Sequence, residues 1–151
     1  MSVFHVAHIF VMALAFGLST VDQAGADWQY TQWGMTKAEV VEASDGQVVA
    51  HKVEHREQWG IYPDLAAPSR FLKLKYRAYF YFGDESGELT AVRLDPIQGV
   101  WCPDVVKELR SRHGNDQELI NGYFVWRDQA TNSKISLSGF STCRIRYEPL
   151  E

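Results

Sequence analysis

The chain lacks an excess of basic charge, low-complexity tracts and linkers rich in proline or glycine. Its 15 Lys and Arg are outnumbered by 19 Asp and Glu, and the formal net charge is −4. That balance argues against a nucleic-acid-binding protein, because such proteins usually carry a strong basic excess. No Ser-His-Asp order, phosphate-binding glycine loop or pair of acidic catalytic residues stands out, and no cofactor is predicted.

Residues 1–26 have the pattern of a cleavable export signal. Ile9–Leu18 is an uncharged apolar run, and Ala24-Gly25-Ala26 is the small-x-small pattern that precedes a cleavage site. A transmembrane helix needs about 20 apolar residues, and neither this run nor any later one approaches that length. The first residues depart from the usual signal pattern in containing no Lys or Arg. A retained N-terminal anchor is the alternative to cleavage. We expect residues 27–151 to form a single periplasmic or secreted domain, which has no cysteine at its start to carry a lipid.

Cys102 and Cys143 are the two cysteines of the chain. Two cysteines in an exported protein most often form one disulfide, so we predict a Cys102–Cys143 bridge. The functional alternative is a reactive thiol at Cys102, because this residue precedes Pro103 at a predicted helix start and a helix N-terminus lowers a thiol pKa. An oxidising compartment favours the bridge.

Thr36-Lys37-Ala38-Glu39 is a capping box, in which a Thr hydroxyl and a Glu carboxylate each accept a backbone N–H at a helix start. Gly46 can adopt the left-handed backbone conformation that commonly ends a helix. The pattern predicts a helix over about 37–44.

Phe71–Phe82 shows the alternation of a strand with one buried and one solvated face. The apolar face would carry Leu72, Leu74, Tyr76, Ala78, Phe80 and Phe82. The opposite face would carry Lys73, Lys75 and Arg77, extended by Tyr79 and Tyr81. A hairpin loop at 83–87 and a partner strand over 88–94 are predicted to follow.

A second helix is predicted from Pro103 to the residues before Gly114, followed by strands over 119–126, 134–140 and 142–147. Residues 46–70 carry weaker patterns: 48–54 could be a strand, and 61–69, with two prolines, reads as a loop. Trp101 and Trp126 are expected in the core. The order predicts an α+β fold, in which short helices pack on an antiparallel β-sheet. A helix-plus-meander unit would occur twice in degenerate form, over about 33–96 and 100–151.

Trp33-Gly34-Met35-Thr36, with Val40 after it, resembles the opening of the small outer-membrane β-barrel assembly lipoproteins of the SmpA/OmlA type. The hairpin pattern over 79–94 is also similar to theirs, and the β-lactamase inhibitor protein uses a similar helix-then-meander unit in tandem. The lipid-bearing Cys of the lipoproteins is absent from this chain, and Ser44-Asp45-Gly46 replaces their usual Gly-x-Pro. The resemblance implies a non-catalytic protein-binding module of the cell envelope.

His51-Lys52-Val53-Glu54-His55 matches the inverted zinc-peptidase pattern H-x-x-E-H. On a helix, His51 and His55 could hold one metal ion while Glu54 activates water. On a strand, the two histidines would instead lie on a half-solvated edge. A small metal-dependent hydrolase is therefore the alternative to a binding protein, although a five-residue match arises easily by chance.

The basic stripe of the predicted central strand is the candidate contact surface. Lys73, Lys75 and Arg77 could meet an anionic partner, particularly if Arg144 and Arg146 lie on the same face of the sheet. Tyr79 and Tyr81 would add amphipathic rings suited to protein interfaces. A solvated sheet face without a partner is the competing interpretation. The expected function is an exported, non-catalytic module that binds another exported or envelope protein.

Overall fold

The computed structural model describes residues 28–51, 63–119, 123–138 and 142–151. The predicted export signal lies outside these residues. The elements in chain order are α1 (Lys37–Ala43), β1 (Val49–Ala50), β2 (Leu65–Phe71), β3 (Leu74–Phe82), β4 (Leu89–Pro96), α2 (Cys102–His113), β5 (Gln117–Leu119), β6 (Tyr123–Asp128), β7 (Ser133–Ser138) and β8 (Arg144–Pro149).

The strands form one antiparallel sheet in the order β1-β2-β3-β4-β8-β7-β6-β5. Each helix precedes a run of neighbouring strands, and the two runs meet where β4 pairs with β8. Val92 lies opposite Tyr147 there, and Leu94 lies opposite Ile145. The predicted α+β class and the antiparallel sheet are confirmed.

The capping box at the start of α1 is confirmed. The Thr36 N–H donates to Glu39 Oε2 at 2.8 Å, and the Glu39 N–H donates to the Thr36 hydroxyl at 3.4 Å. Asp45 and Gly46 follow the helix with φ values of 51° and 77°, as expected for a left-handed termination. Val40 is fully buried and anchors the short helix to the core.

The prediction of one strand over 71–82 was wrong at its beginning. Leu72 and Lys73 form a tight turn between β2 and β3, with φ values of 53° and 63°. Lys73 therefore lies in the turn and not on the strand. The predicted loop over 61–69 was also wrong, because its second half belongs to β2. Pro68 lies beyond the two β2 residues that pair with β1, at the kind of edge position where strands tolerate proline.

The later elements follow the prediction with shifted ends. The loop after β3 closes as expected, since the Gly83 N–H donates to the Glu88 carbonyl at 2.9 Å. In the second half, β6, β7 and β8 correspond to the strands predicted over 119–126, 134–140 and 142–147. The short strand β5 was not predicted.

One face of the sheet, here called the helix face, packs against both helices. Leu109 of α2 and Val40 of α1 belong to the same core cluster as the strand residues Phe80, Leu94 and Ile145. Polar contacts also connect α2 to this face: His113 Nδ1 lies 2.7 Å from Asp128 Oδ2, and Trp126 Nε1 donates to the Gly114 carbonyl at 3.2 Å. Trp126 is buried, as predicted.

The predicted disulfide is confirmed. Cys102, the first residue of α2, is bonded to Cys143 just before β8, with Cα atoms 5.4 Å apart. The bridge ties the helix to the sheet across a separation of 41 residues. Trp101 corrects another expectation, because its side chain is 71% exposed and not in the core. It precedes the helix as the N-cap residue, so its ring projects from the end of the element and not from its buried stripe.

Candidate functional site

The opposite face of the sheet, here called the basic face, carries most of the charged strand residues. In antiparallel pairs, residues directly opposite each other project from the same face. Tyr79 pairs with Arg93, Arg93 pairs with Arg146, and Arg146 pairs with Ser136. Arg144 and Arg146 therefore share a face with Lys75 and Arg77, the arrangement that would favour an anionic partner.

The basic face has a charge opposite to that of the whole chain. Among the described residues of β2–β4 and β6–β8, the acidic side chains on this face are Asp95 and Glu148. The basic ones are Arg70, Lys75, Arg77, Arg93, Arg127, Lys134, Arg144 and Arg146. A chain of net charge −4 has thus gathered eight of its 15 Lys and Arg onto one side of its sheet.

Arginine and tyrosine side chains alternate across the centre of this face. The Arg93 guanidinium lies 5.2 Å from the Tyr79 ring centre and 5.4 Å from that of Tyr81. Arg146 contacts the same Tyr81 ring at 5.3 Å. These are cation–π distances, and such contacts contribute from about 0.5–1 kcal/mol at exposed sites to about 2 kcal/mol where the pair is desolvated. Tyr81 is 2% exposed, so arginines cover a ring that the sequence pattern placed at the surface.

The two acidic residues of the face orient its arginines. Arg93 Nε donates to Asp95 at 2.8 Å, and Arg146 Nε donates to Glu148 at 2.8 Å. Burial would raise the pKa of Glu148, but hydrogen bonds from Arg146 and Lys134 outweigh it and lower that pKa below its usual range. The carboxylate therefore stays ionised under mildly acidic conditions and keeps Arg146 in place.

A small open pocket of about 180 Å³ lies on the basic face where β4, β8, β7 and β6 run side by side. Drug-sized ligand sites have volumes of about 300–1,000 Å³, so this pocket suits a single small group. Its lining consists of Arg93, Tyr123, Ser136, Ser138, Arg144 and Arg146.

The residues predicted for the contact surface are distributed as follows. Lys75 and Arg77 are exposed on the basic face, Tyr79 is half-buried there, and Tyr81 is buried beneath the arginines. Lys73 is exposed in the turn at the end of that face. Arg93 was missed, because the sequence placed no charged stripe on the strand that contains it.

The metal motif is only partly described, since Glu54 and His55 lie outside the described residues. His51 follows β1, where its N–H donates to the Asp64 carbonyl at 2.9 Å and its ring lies 5.0 Å from that of Tyr79. Within the described ranges, no group of three His, Cys, Asp or Glu side chains is placed to hold a metal ion. The hydrolase reading stays a prediction.

Comparison with known proteins gives no relative: no family model, no curated protein and no solved structure matches the chain. No helix in the described part of the chain has the length and apolar character needed to cross a membrane.

Proposed function

We propose that the protein is an exported, non-catalytic module whose basic face binds an acidic surface of another exported or envelope protein. One observation carries this proposal: the basic face concentrates eight Lys and Arg in a chain that is acidic overall. Charge patches of this kind steer association with partners of opposite sign and suppress wrong partners.

The side chains of the face have the chemistry of a protein-binding surface. Arg and Tyr are enriched at protein interfaces and among the residues that dominate binding energy. Here Arg93 and Arg146 are fixed against the Tyr81 ring, so they lose little conformational freedom when a partner binds. Both helices pack on the helix face, which leaves the basic face uncovered by helices within the described residues.

The chain arrangement is also compatible with a twice-occurring unit. A helix and a run of antiparallel strands come first, a second helix and run follow, and the runs join side by side at β4 and β8. The resemblance to envelope lipoproteins and to the β-lactamase inhibitor protein rests on the short sequence motifs and on the predicted helix-then-meander order. We propose a degenerate duplication that builds one wide sheet, and hence one wide contact surface.

A charge-reversal pull-down tests the proposal. The variant K75E/R77E changes two exposed side chains at one end of the basic face and leaves the buried Tyr76 and Ala78 unchanged. We expect it to fold normally and to recover the envelope partner about tenfold less efficiently, because each reversal replaces an attraction with a repulsion.

The matched control is K37E/K107E, which reverses two exposed lysines on the helices and gives the same net charge. It should recover the partner as well as the wild type does. Equal losses in both variants would show that net charge, and not the basic face, governs capture. Unchanged recovery with K75E/R77E would remove this face as the contact surface.

A further inference from the structure

We infer that the pocket on the basic face is a binding site for a dianionic oxyanion of the phosphate or sulfate type. The site is local to β4, β6, β7 and β8 and does not require a protein partner. The strand register builds it: Arg93 lies opposite Arg146, Arg146 opposite Ser136, and Ser138 opposite both Arg144 and Tyr123.

The register concentrates positive charge at the pocket. Arg93 and Arg146 are directly opposite each other, and like charges in that position destabilise an antiparallel pair. Each arginine is hydrogen-bonded to the acid two residues further along its own strand, Asp95 or Glu148. Because the strands are antiparallel, the two acids lie at opposite ends of the pair, while both guanidinium groups lie over the same Tyr81 ring, 5.4 Å and 5.3 Å from its centre.

The local charges leave room for a ligand with two negative charges. Arg144 Nε lies 3.5 Å from Asp95, and Lys134 Nζ lies 3.0 Å from Glu148. Three arginines and one lysine therefore form ion pairs of 3.5 Å or less with two carboxylates. These six groups have an excess of two positive charges. A dianion would neutralise that excess, whereas a single carboxylate would neutralise half of it.

The donors of the pocket match an oxyanion. The bond from Arg146 to Glu148 uses Nε, and a guanidinium has about five N–H donors in a planar fork that suits phosphate oxygens. Ser136 and Ser138 line the pocket with hydroxyl groups from the neighbouring strand, and the Ser138 hydroxyl also lies 3.4 Å from that of Thr142. The Tyr81 ring fixes Arg93 and Arg146 from below, so the site is largely formed before a ligand arrives.

An NMR titration of the full mature chain with sodium sulfate and with sodium phosphate tests the inference. Both salts should produce saturable amide shifts at Ser136, Ser138 and Arg144, whereas sodium chloride at the same ionic strength should not. Acetate should bind about tenfold more weakly than sulfate, because one negative charge balances only half of the excess.

Two variants of equal charge locate the site. R144A/R146A should weaken sulfate binding by about tenfold or more, because it removes two of the three guanidinium forks. R70A/K75A removes two exposed basic side chains on the same face but outside the pocket, and it should change sulfate binding by less than about twofold. Equal effects in the two variants, identical shifts with chloride, or no saturable shift in the wild type would each overturn the inference. The wild-type result decides the matter even if one variant fails to fold.

Discussion

Two tyrosines of the helix face are buried deeply enough to change how they ionise. Burial raises the pKa of Tyr76 from 10.0 to about 12, and it does the same for Tyr147. Since the folded state disfavours tyrosinate, this contribution to stability is complete below pH 10 and is lost as the pH rises through about 12. The Tyr76 hydroxyl also has no hydrogen-bond partner among the described residues.

Replacing Tyr76 with Phe should therefore stabilise the protein. The change removes a buried hydroxyl that has no hydrogen-bond partner in the described part of the chain. It keeps the ring, whose centre lies 6.1 Å from that of Phe71. We expect the free energy of unfolding at neutral pH to rise by about 1 kcal/mol. Chemical denaturation would measure it, and repeating the measurement above pH 10 should show a shallower alkaline loss than in the wild type. A destabilised variant would show that the hydroxyl has a partner.

At the scale of elements, the turn between β2 and β3 combines an unfavourable sequence with a regular geometry. Leu72 and Lys73 both have positive φ. This conformation costs about 1–2 kcal/mol per residue for side chains other than those of glycine and asparagine. Tight two-residue hairpin turns with positive φ at both positions prefer Asn-Gly. The strands impose the turn on residues that do not favour it.

The variant L72N/K73G should stabilise the hairpin. Asn and Gly adopt positive φ more easily, and we expect a gain of about 1 kcal/mol in the free energy of unfolding. The matched control is L74N/K75G, which makes the same change two residues later, inside β3, and should destabilise the protein. A loss of stability with L72N/K73G would mean that the packing of the half-buried Leu72 outweighs the backbone gain.

Sequence patterns located the elements whose signals are local. The capping box marked α1, the alternation over 74–82 marked β3, and Pro103 and Gly114 bounded α2. The β2–β3 turn escaped because it contains no Gly, Asn or Pro. Phe71 was the available clue, because in a single strand over 71–82 this apolar residue would lie on the same face as Lys73, Lys75 and Arg77. The two-residue turn moves the inward-facing positions from even numbers in β3 to odd numbers in β2, so Phe71 lies opposite Leu74 on the helix face.

At the scale of the whole molecule, strand order decides what the surface can do. The predicted stripe of Lys75, Arg77 and Tyr79 belongs to one strand, and the sequence could place it on a face. The pairing of β4 with β8 joins residues more than 50 positions apart and brings Arg93 beside Arg146. No local pattern encodes that pairing, so the pocket and the arginine cover over Tyr81 became visible only in the folded chain.

Site-specific photo-crosslinking in the native envelope tests the central claim most directly. A photoreactive residue replacing Arg77 would project from the basic face, and one replacing Glu42 would project from exposed α1 on the other side. We predict that the Arg77 position captures one exported protein with an acidic surface and that the Glu42 position captures none. Capture of that protein from Glu42 alone, or equally from both positions, would contradict the assignment of the basic face as the binding surface.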